Sequence, residues 1–476
     1  VTSPQPSPAG EEPLSSTVWK VAAVASLGSF LAQLDATTAN VALPSLVVDL
    51  NSSIAVVQWV VTGYLLALIL VLPLSGHLVG RIGARAVYLV CFAGFALTST
   101  LCGLAWSASS LVAFRVLQGL SGGLLAPMAQ MMIARVAGNQ MARVAGYAAI
   151  PILLGPILGP ILASGLLHYL SWRWLFFATA LIAAGAIVLA LAFVPPDCEE
   201  DMRRQPMDWV GLILLSPGLA LLLYSLDHAH NAMGLALLGA ALIMLISFVA
   251  VARAKGSRAL IDIHLFAHPP FRAAAISQFL TNGINFAGQM LLPMFLILGC
   301  GLPPGEIGWL MAPLGAGMMC AYPSVGRVIE RFGIRSSAAT GAVLSLTAML
   351  LLAGTASLGL TPLLLMPSLF LLGVGQGAVG LSSMTAAYTM IAKSDLPMAT
   401  TSLNICQRLG GPVLTTLSAF FLERQLATKG PGPTPLGAFS SSFLLLGSVL
   451  VLCAFVTLLL PKAATSEPTA LFDRTD

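Results

Sequence analysis

The chain has 476 residues, 57% of them hydrophobic and only 8% charged, against about 25% charged in a soluble domain. That excludes a soluble enzyme, a nucleic-acid binder and a disordered protein, and a polytopic membrane protein remains. Net charge is +4, too balanced for a polyanion-binding surface.

The N-terminal stretch VTSPQPSPAGEEP is polar and acidic with no basic n-region, so the first apolar run is expected to be a retained span and not a cleaved signal. Apolar runs bounded by charge, Gly or Pro predict spans at 18–40, 54–76, 86–105, 109–133, 142–167 and 172–194. Two more fall at 208–227 and 232–253, and a last six at 271–298, 306–326, 337–357, 361–391, 398–424 and 437–461. The 361–391 run is long enough to overrun the bilayer. The runs are too long and too uniform for barrel strands, so the expected class is all-α with about 14 transmembrane helices.

Seventeen of the 22 basic residues fall in one set of loops and tails, three (Arg173, Arg424, Lys429) on the other side and two (Arg115, Arg408) inside spans. This asymmetry predicts both termini in the cytoplasm and hence an even number of spans. The seven cysteines are scattered without a CxxC pair and read as small core residues.

An internal repeat follows. GHLVGRIGAR (76–85) recurs as GRVIERFGIR (326–335), Gln118-Gly119 as Gln376-Gly377, and Gly155-Pro156 as Gly411-Pro412, at offsets of 250, 258 and 256. Spans one to six therefore repeat as spans nine to fourteen, with two inserted between. The expected organisation is a tail (1–17), a six-helix bundle (18–194), a loop (195–207), two inserted helices (208–253), a loop (254–270), a second six-helix bundle (271–461) and a tail (462–476). Two related bundles around a midplane cavity are a transporter design.

Several strings carry a closer resemblance: LDATTANVALP (34–44), WVVTGYLLAL (59–68), RVLQGLSGG (115–123), LGPILGP (154–160) and SWRWLFF (171–177). The chain resembles the major facilitator superfamily, and within it the fourteen-helix drug/proton antiporters of the EmrB/QacA type. The resemblance implies a multi-pass protein of the bacterial cytoplasmic (inner) membrane that expels lipophilic compounds in exchange for protons. The proton gradient is then the energy source and no cofactor is needed; protons, lipophilic small molecules and membrane lipids are the partners. The resemblance also admits a periplasmic adaptor and an outer-membrane channel. No nucleic acid and no metal site are expected.

Asp35 is the one acid well inside a span, where a carboxylate costs about 2.5–3.5 kcal/mol on insertion scales. A carboxyl whose environment changes between two conformations can take a proton on one side and release it on the other. Hydrogen bonding to Thr37, Thr38 or Asn40 is the structural alternative. The resemblance implies Arg115 as its partner in proton coupling. The repeat-equivalent positions hold Gly373 and Asn285, so coupling is expected in the first half only.

The resemblance further implies gating loops at Gly76, Arg81, Gly83 and Arg85 and at Gly326, Glu330, Arg331, Gly333 and Arg335. An antiporter-motif hinge is implied at Gly146, Pro151, Gly155, Pro156 and Gly159, where Gly155 and Gly159 form a face for close helix approach. Cavity candidates are Gln33, Gln118, Asn282, Asn285, Phe286, Gln289, Met290, Gln376, Asn404, Gln407 and Arg408; Arg408 either faces the cavity or snorkels. Asp227, Glu306 and Glu423 read as solvated acids at span ends.

Two departures stand out. Pro160 follows Gly159 where the family often has Gly, and Gly80 occupies the loop position that normally carries an Asp. Gating is then expected to rest on the second loop or on helix-end contacts. With one deep acid, neutral or singly charged compounds are expected as substrates in preference to dications. Rival readings are a dedicated exporter of one endogenous metabolite, siderophore or antibiotic, and a transport-impaired sensor or scaffold. No constellation for a membrane enzyme is present.

Overall fold

The computed structural model describes residues 15–137, 140–197, 207–227, 231–256, 259–302, 304–358, 362–389, 391, 395–428 and 436–462. Most of the two tails and of the 195–207 loop, with Arg203 and Arg204, lie outside the described residues, as do the side chains of Pro156, Asp227 and Glu306. Glu423 is exposed.

The first bundle comprises α1 (Ser16–Asp49), α2 (Ile54–Val71) and α3 (Ser75–Ile82), α4 (Ala84–Gly103), α5 (Ala108–Gly122) and α6 (Leu125–Ala137), α7 (Met141–Tyr169) and α8 (Arg173–Phe193). Proline and glycine account for the two interruptions. A 3-10 turn holding Pro73 separates α2 from α3, and Gly122-Gly123 ends α5 before α6. Side-chain caps fix several starts: Ser15 accepts from Val18 N–H, Ser53 from Val56 N–H, and Ser107 forms a reciprocal box with Ser110.

An inserted hairpin follows, α9 (Trp209–Asp227) and α10 (Ala232–Lys255). The second bundle is α11 (Pro269–Met294, continued by a π turn at 295–299), α12 (Pro304–Phe332), α13 (Ile334–Leu358), α14 (Pro362–Thr389), α15 (Leu396–Thr428) and α16 (Leu436–Thr457). Eleven described helical passages are long and apolar enough to cross a membrane. Three further long helices, α7, α12 and α15, complete the two bundles; the apolar stretch described in α7 is Met141–Gly155, and all three contribute residues to the wall of a central cavity.

The repeat in sequence is a repeat in space. Gly83 and Gly333 both take a left-handed conformation (φ 89° and 84°) at the turn into α4 and α13, which suits a residue without Cβ. In each half the chain leaving the sixth passage returns to the N-terminus of the third. Asp197 accepts from the N–H groups of Ala84, Arg85 and Ala86 at 2.8–3.3 Å, whereas in the second half the Pro461 carbonyl accepts from Arg335 N–H at 3.2 Å.

The apolar cores show how the halves meet. Toward the end that carries the basic loops, one continuous core joins Val79, Met128, Ala145, Ala321, Val325 and Leu403 from both bundles. Toward the opposite end each bundle has its own core, around Val60, Leu111 and Trp172 in the first and around Leu291, Leu352 and Phe443 in the second. The halves are thus fused at the basic end and separate beyond it.

The inserted hairpin packs over one seam. Leu215 and Leu219 of α9 and Phe248 of α10 join Leu72 and Ile405 of the two halves in one cluster, and Trp59 stacks on Tyr224. Asp208 clamps its base: it accepts from Gly211 N–H at 2.9 Å and Leu260 N–H at 3.0 Å and pairs with Lys255 Nζ at 2.5 Å. Burial opposes the charge on this carboxylate, but the Lys255 bond and the two N–H donors outweigh it and hold Asp208 below the usual carboxylate range. The folded pKa lies below the unfolded one, so the stabilisation is fully present above the ordinary value near 3.8 and is lost as pH falls through the folded value. Asp208→Asn should lower the thermal midpoint at pH 7 by the equivalent of about 1.5–3 kcal/mol. Tryptophan fluorescence in detergent reads this loss, which should shrink as the solution is brought below pH 4.

Candidate functional site

The buried charges of the first bundle form one network. Asp35 of α1 is 1% exposed and Arg115 of α5 is fully buried. Arg115 Nη1 donates to Asp35 Oδ2 at 2.6 Å and to Gln118 Oε1 at 2.6 Å. Gln118, one turn along α5, donates through Nε2 to Asp35 Oδ1 at 3.1 Å and to Ser99 Oγ of α4 at 2.6 Å. Arg115 Nε donates to the Val60 carbonyl of α2 at 2.9 Å, and the guanidinium lies 4.2 Å from the centroid of the Tyr64 ring. Four helices meet through these five polar side chains and rings.

Thr37, Thr38 and Asn40 do not share in this. Thr37 donates to the Gln33, Leu34 and Gly155 carbonyls, Thr38 to the Asp35 carbonyl and Asn40 to the Ala36 carbonyl, all main-chain oxygens. The carboxylate itself is held by Arg115 and Gln118. Gln118, expected in the cavity, is instead fully buried in the ion-pair network.

The cavity lies at the centre between the halves, with a volume of about 200 Å³. Its walls include Ser26 and Ser29 of α1, Gln130 of α6, Ile152 and Leu153 of α7, Gln278, Asn282 and Asn285 of α11, Tyr322 of α12, Gln376 of α14 and Gln407 of α15. No charged side chain is among the lining residues. Four of the expected residues therefore meet there: Asn282, Asn285, Gln376 and Gln407.

The other candidates stand elsewhere. Gln289 is exposed and donates to Asn285 Oδ1 at 2.6 Å, Phe286 is exposed beside Gly411, and Met290 packs on the outer core of the second half. Gln33 is exposed and lies against Gly155 at the α1–α7 crossing. Asn404 is buried and donates to Gln130 Oε1 at 2.7 Å, to which Tyr388 Oη also donates at 3.2 Å. Gln130 so ties α6 of one half to α14 and α15 of the other. A lone amide inside an apolar run was its sequence signal.

At the basic end the halves close by small residues and hydroxyls. Ser75 and Thr401 hydrogen-bond at 2.6 Å, and Gly76 faces Thr401 and the Pro397 carbonyl closely, a Cβ there lying 3.1–3.2 Å from them. A Cβ at Gly146 would strike the Tyr322 carbonyl, and one at Gly326 would lie 2.9 Å from Arg143 Cα. Gly155 and Gly159 do face a neighbouring helix, which is α1 at Gln33 and Thr37, and α7 runs as one helix through Pro151 and Pro156.

Among the charged loop residues, Arg85 donates to the Leu191 carbonyl at 2.9 Å and Arg335 to the Leu460 carbonyl at 2.7 Å, while Arg81, Glu330 and Arg331 are exposed. Arg331 sits 5.4 Å from the Phe332 ring. A carboxylate near Gly80 does stand at this end: Asp197, which follows α8, caps α4 and lies 3.9 Å from Arg135. Only the chain's return from α8 reveals it.

These features define a multi-pass membrane protein of two related helical bundles around a central cavity. The comparisons with known proteins agree. The Major Facilitator Superfamily model matches residues 25–415 and, in a second match, 274–474. The chain belongs to this superfamily. A "Multidrug resistance protein B homolog" of Mycobacterium tuberculosis is 32% identical over 420 residues, covering 85% of this chain and 76% of that protein. A Serratia proteamaculans protein named MdtD is 28% identical over 469 residues, 95% and 96% of the two chains. The proton:xylose symporter XylE shares the fold, with a TM-score of 0.65 at 15% identity over 93% of this chain and 95% of that one.

Breaking a buried pair leaves an uncompensated charge, whereas replacing both partners by apolar groups need not. Asp35→Leu and Arg115→Met should each lower stability by about 3–5 kcal/mol, and the double variant should recover most of that loss. Thermal unfolding of the four proteins in detergent gives the comparison; additive losses would contradict a paired site.

Proposed function

We propose that the protein is a proton-coupled exporter of lipophilic small molecules of the fourteen-helix EmrB/QacA type, seated in a bacterial cytoplasmic membrane with both termini inside and working by alternating access. The observation that carries this reading is a carboxylate sealed in a four-helix network, on the same helix as Ser26 and Ser29 of the cavity wall. Protonation of Asp35 would cancel its attraction for Arg115 and loosen α1 from α5, and α1 carries that change to the cavity. The fused core at the basic end then corresponds to a transporter closed toward the cytoplasm.

The multidrug name of the mycobacterial relative and the uncharged, partly apolar cavity both favour export of small lipophilic compounds. One proton entering across 100 mV supplies about 2.3 kcal/mol, enough for roughly a 50-fold gradient of a neutral solute. A transport-impaired scaffold had Gly80 as its sole support, and the capping role of Asp197 weakens that reading.

The test is efflux from proteoliposomes with an imposed pH gradient, run over a panel of neutral, anionic and cationic aromatic compounds. Wild type should move at least one compound in proportion to the gradient, and Asp35→Asn should lose at least about nine-tenths of that rate. Equal, gradient-insensitive transport by both proteins would defeat the coupling.

A further inference from the structure

We propose that Arg408 is the counter-charge for substrate, so that the cavity selects amphiphilic organic anions, such as aromatic carboxylates, over their uncharged counterparts. This rests on the export reading and narrows its substrate class.

Arg408 lies about 18 Å along α15 from Leu396, at the depth of the cavity. A cation at that depth is normally paired. Of the three charges read inside spans, Asp35 and Arg115 pair with each other, and Arg408 is left over. Its Nε is buried without a hydrogen-bond partner, and no carboxylate among the described residues forms an ion pair with it. Nor does it snorkel: it lies within electrostatic reach of Tyr64, which is buried inside the other half.

The neighbourhood explains how a ligand would meet this charge. Gln407, the preceding residue, lines the cavity, and Asn404, one turn earlier, is already bound to Gln130. The cavity wall carries no acid to compensate or repel. An anion seated among these neutral amides and apolar groups would have beside it the unneutralised charge of Arg408, one residue on from Gln407 though not itself one of the lining residues. The energetics run the same way, because a proton moving in and an anion moving out both follow the membrane potential.

The test uses the purified protein in lipid nanodiscs, with 2-naphthylacetate and its uncharged amide, 2-naphthylacetamide, as probes of matched shape, read by calorimetry at pH 7. Wild type should bind the carboxylate at least tenfold more tightly than the amide. Arg408→Gln should abolish that preference and leave amide binding within twofold, which also reports that the variant is folded; Arg408→Lys should keep part of it. Equal binding of the two probes by wild type, no binding of the carboxylate, or a preference that survives Arg408→Gln would overturn the proposal. Binding is read without a gradient, so a carboxylate that binds but is not moved by an imposed proton gradient contradicts the export reading alone. Gradient-driven movement of the amide with no preference for the carboxylate contradicts this inference alone.

Discussion

The arrangement of the first bundle depends on two charges taken out of water together. Each of Asp35 and Arg115 costs several kcal/mol to desolvate, and their attraction compensates only because every carboxylate oxygen also has a donor and the guanidinium lies on an aromatic face. Such a pair is a poor way to gain stability and a good way to specify geometry. It requires α1, α2, α4 and α5 to converge within hydrogen-bond reach, and a proton on Asp35 removes the attraction that justifies the convergence. The same α1 presents Ser26 and Ser29 to the cavity and packs on α7 at Gly155 and Gly159, so one helix connects the carboxylate to the cavity wall.

A second constraint is steric. The basic end is closed by Gly146 and Gly326, where opposing backbones leave no room for Cβ, by the tight approach at Gly76, and by the Ser75–Thr401 hydroxyl pair. Close packing of this kind is all-or-none, which suits a gate with two discrete positions. The two halves are related yet not equal. Among the charges read inside spans, Asp35 and Arg115 lie in the first half and Arg408 in the second, and the helix cap that a carboxylate supplies in one half is supplied by a carbonyl in the other. The inserted hairpin adds to the asymmetry by covering the seam between α2 and α15.

Much of this was legible in the sequence because a membrane chain advertises its exceptions. Long apolar runs located the helices, the paired Gly-x-x-x-x-Arg-x-Gly turns exposed the repeat, and a single acid in an apolar run singled out Asp35. Pro73 and Gly122-Gly123 carried the signal for the breaks in the second and fourth passages, although spacing alone did not say that the helices would restart. What was not legible depends on how helices pack. Gln118 was read as a cavity residue because nothing local says that it faces Asp35 and Ser99; that follows from the rotation of α5 against α1 and α4. Asp197 sits in a loop whose meaning appears only when the chain returns to α4, and Gln130 becomes a bridge only when the other half closes on it.

The central claim is that Asp35 exchanges a proton in a dehydrated site. Infrared difference spectroscopy of the reconstituted protein between neutral and acidic pH tests this without knowledge of the substrate. The account predicts a carbonyl stretch of a protonated, water-excluded carboxylic acid that grows on acidification and is missing from Asp35→Asn. A wild-type spectrum without such a band, or one in which the band persists unchanged in Asp35→Asn, would contradict it.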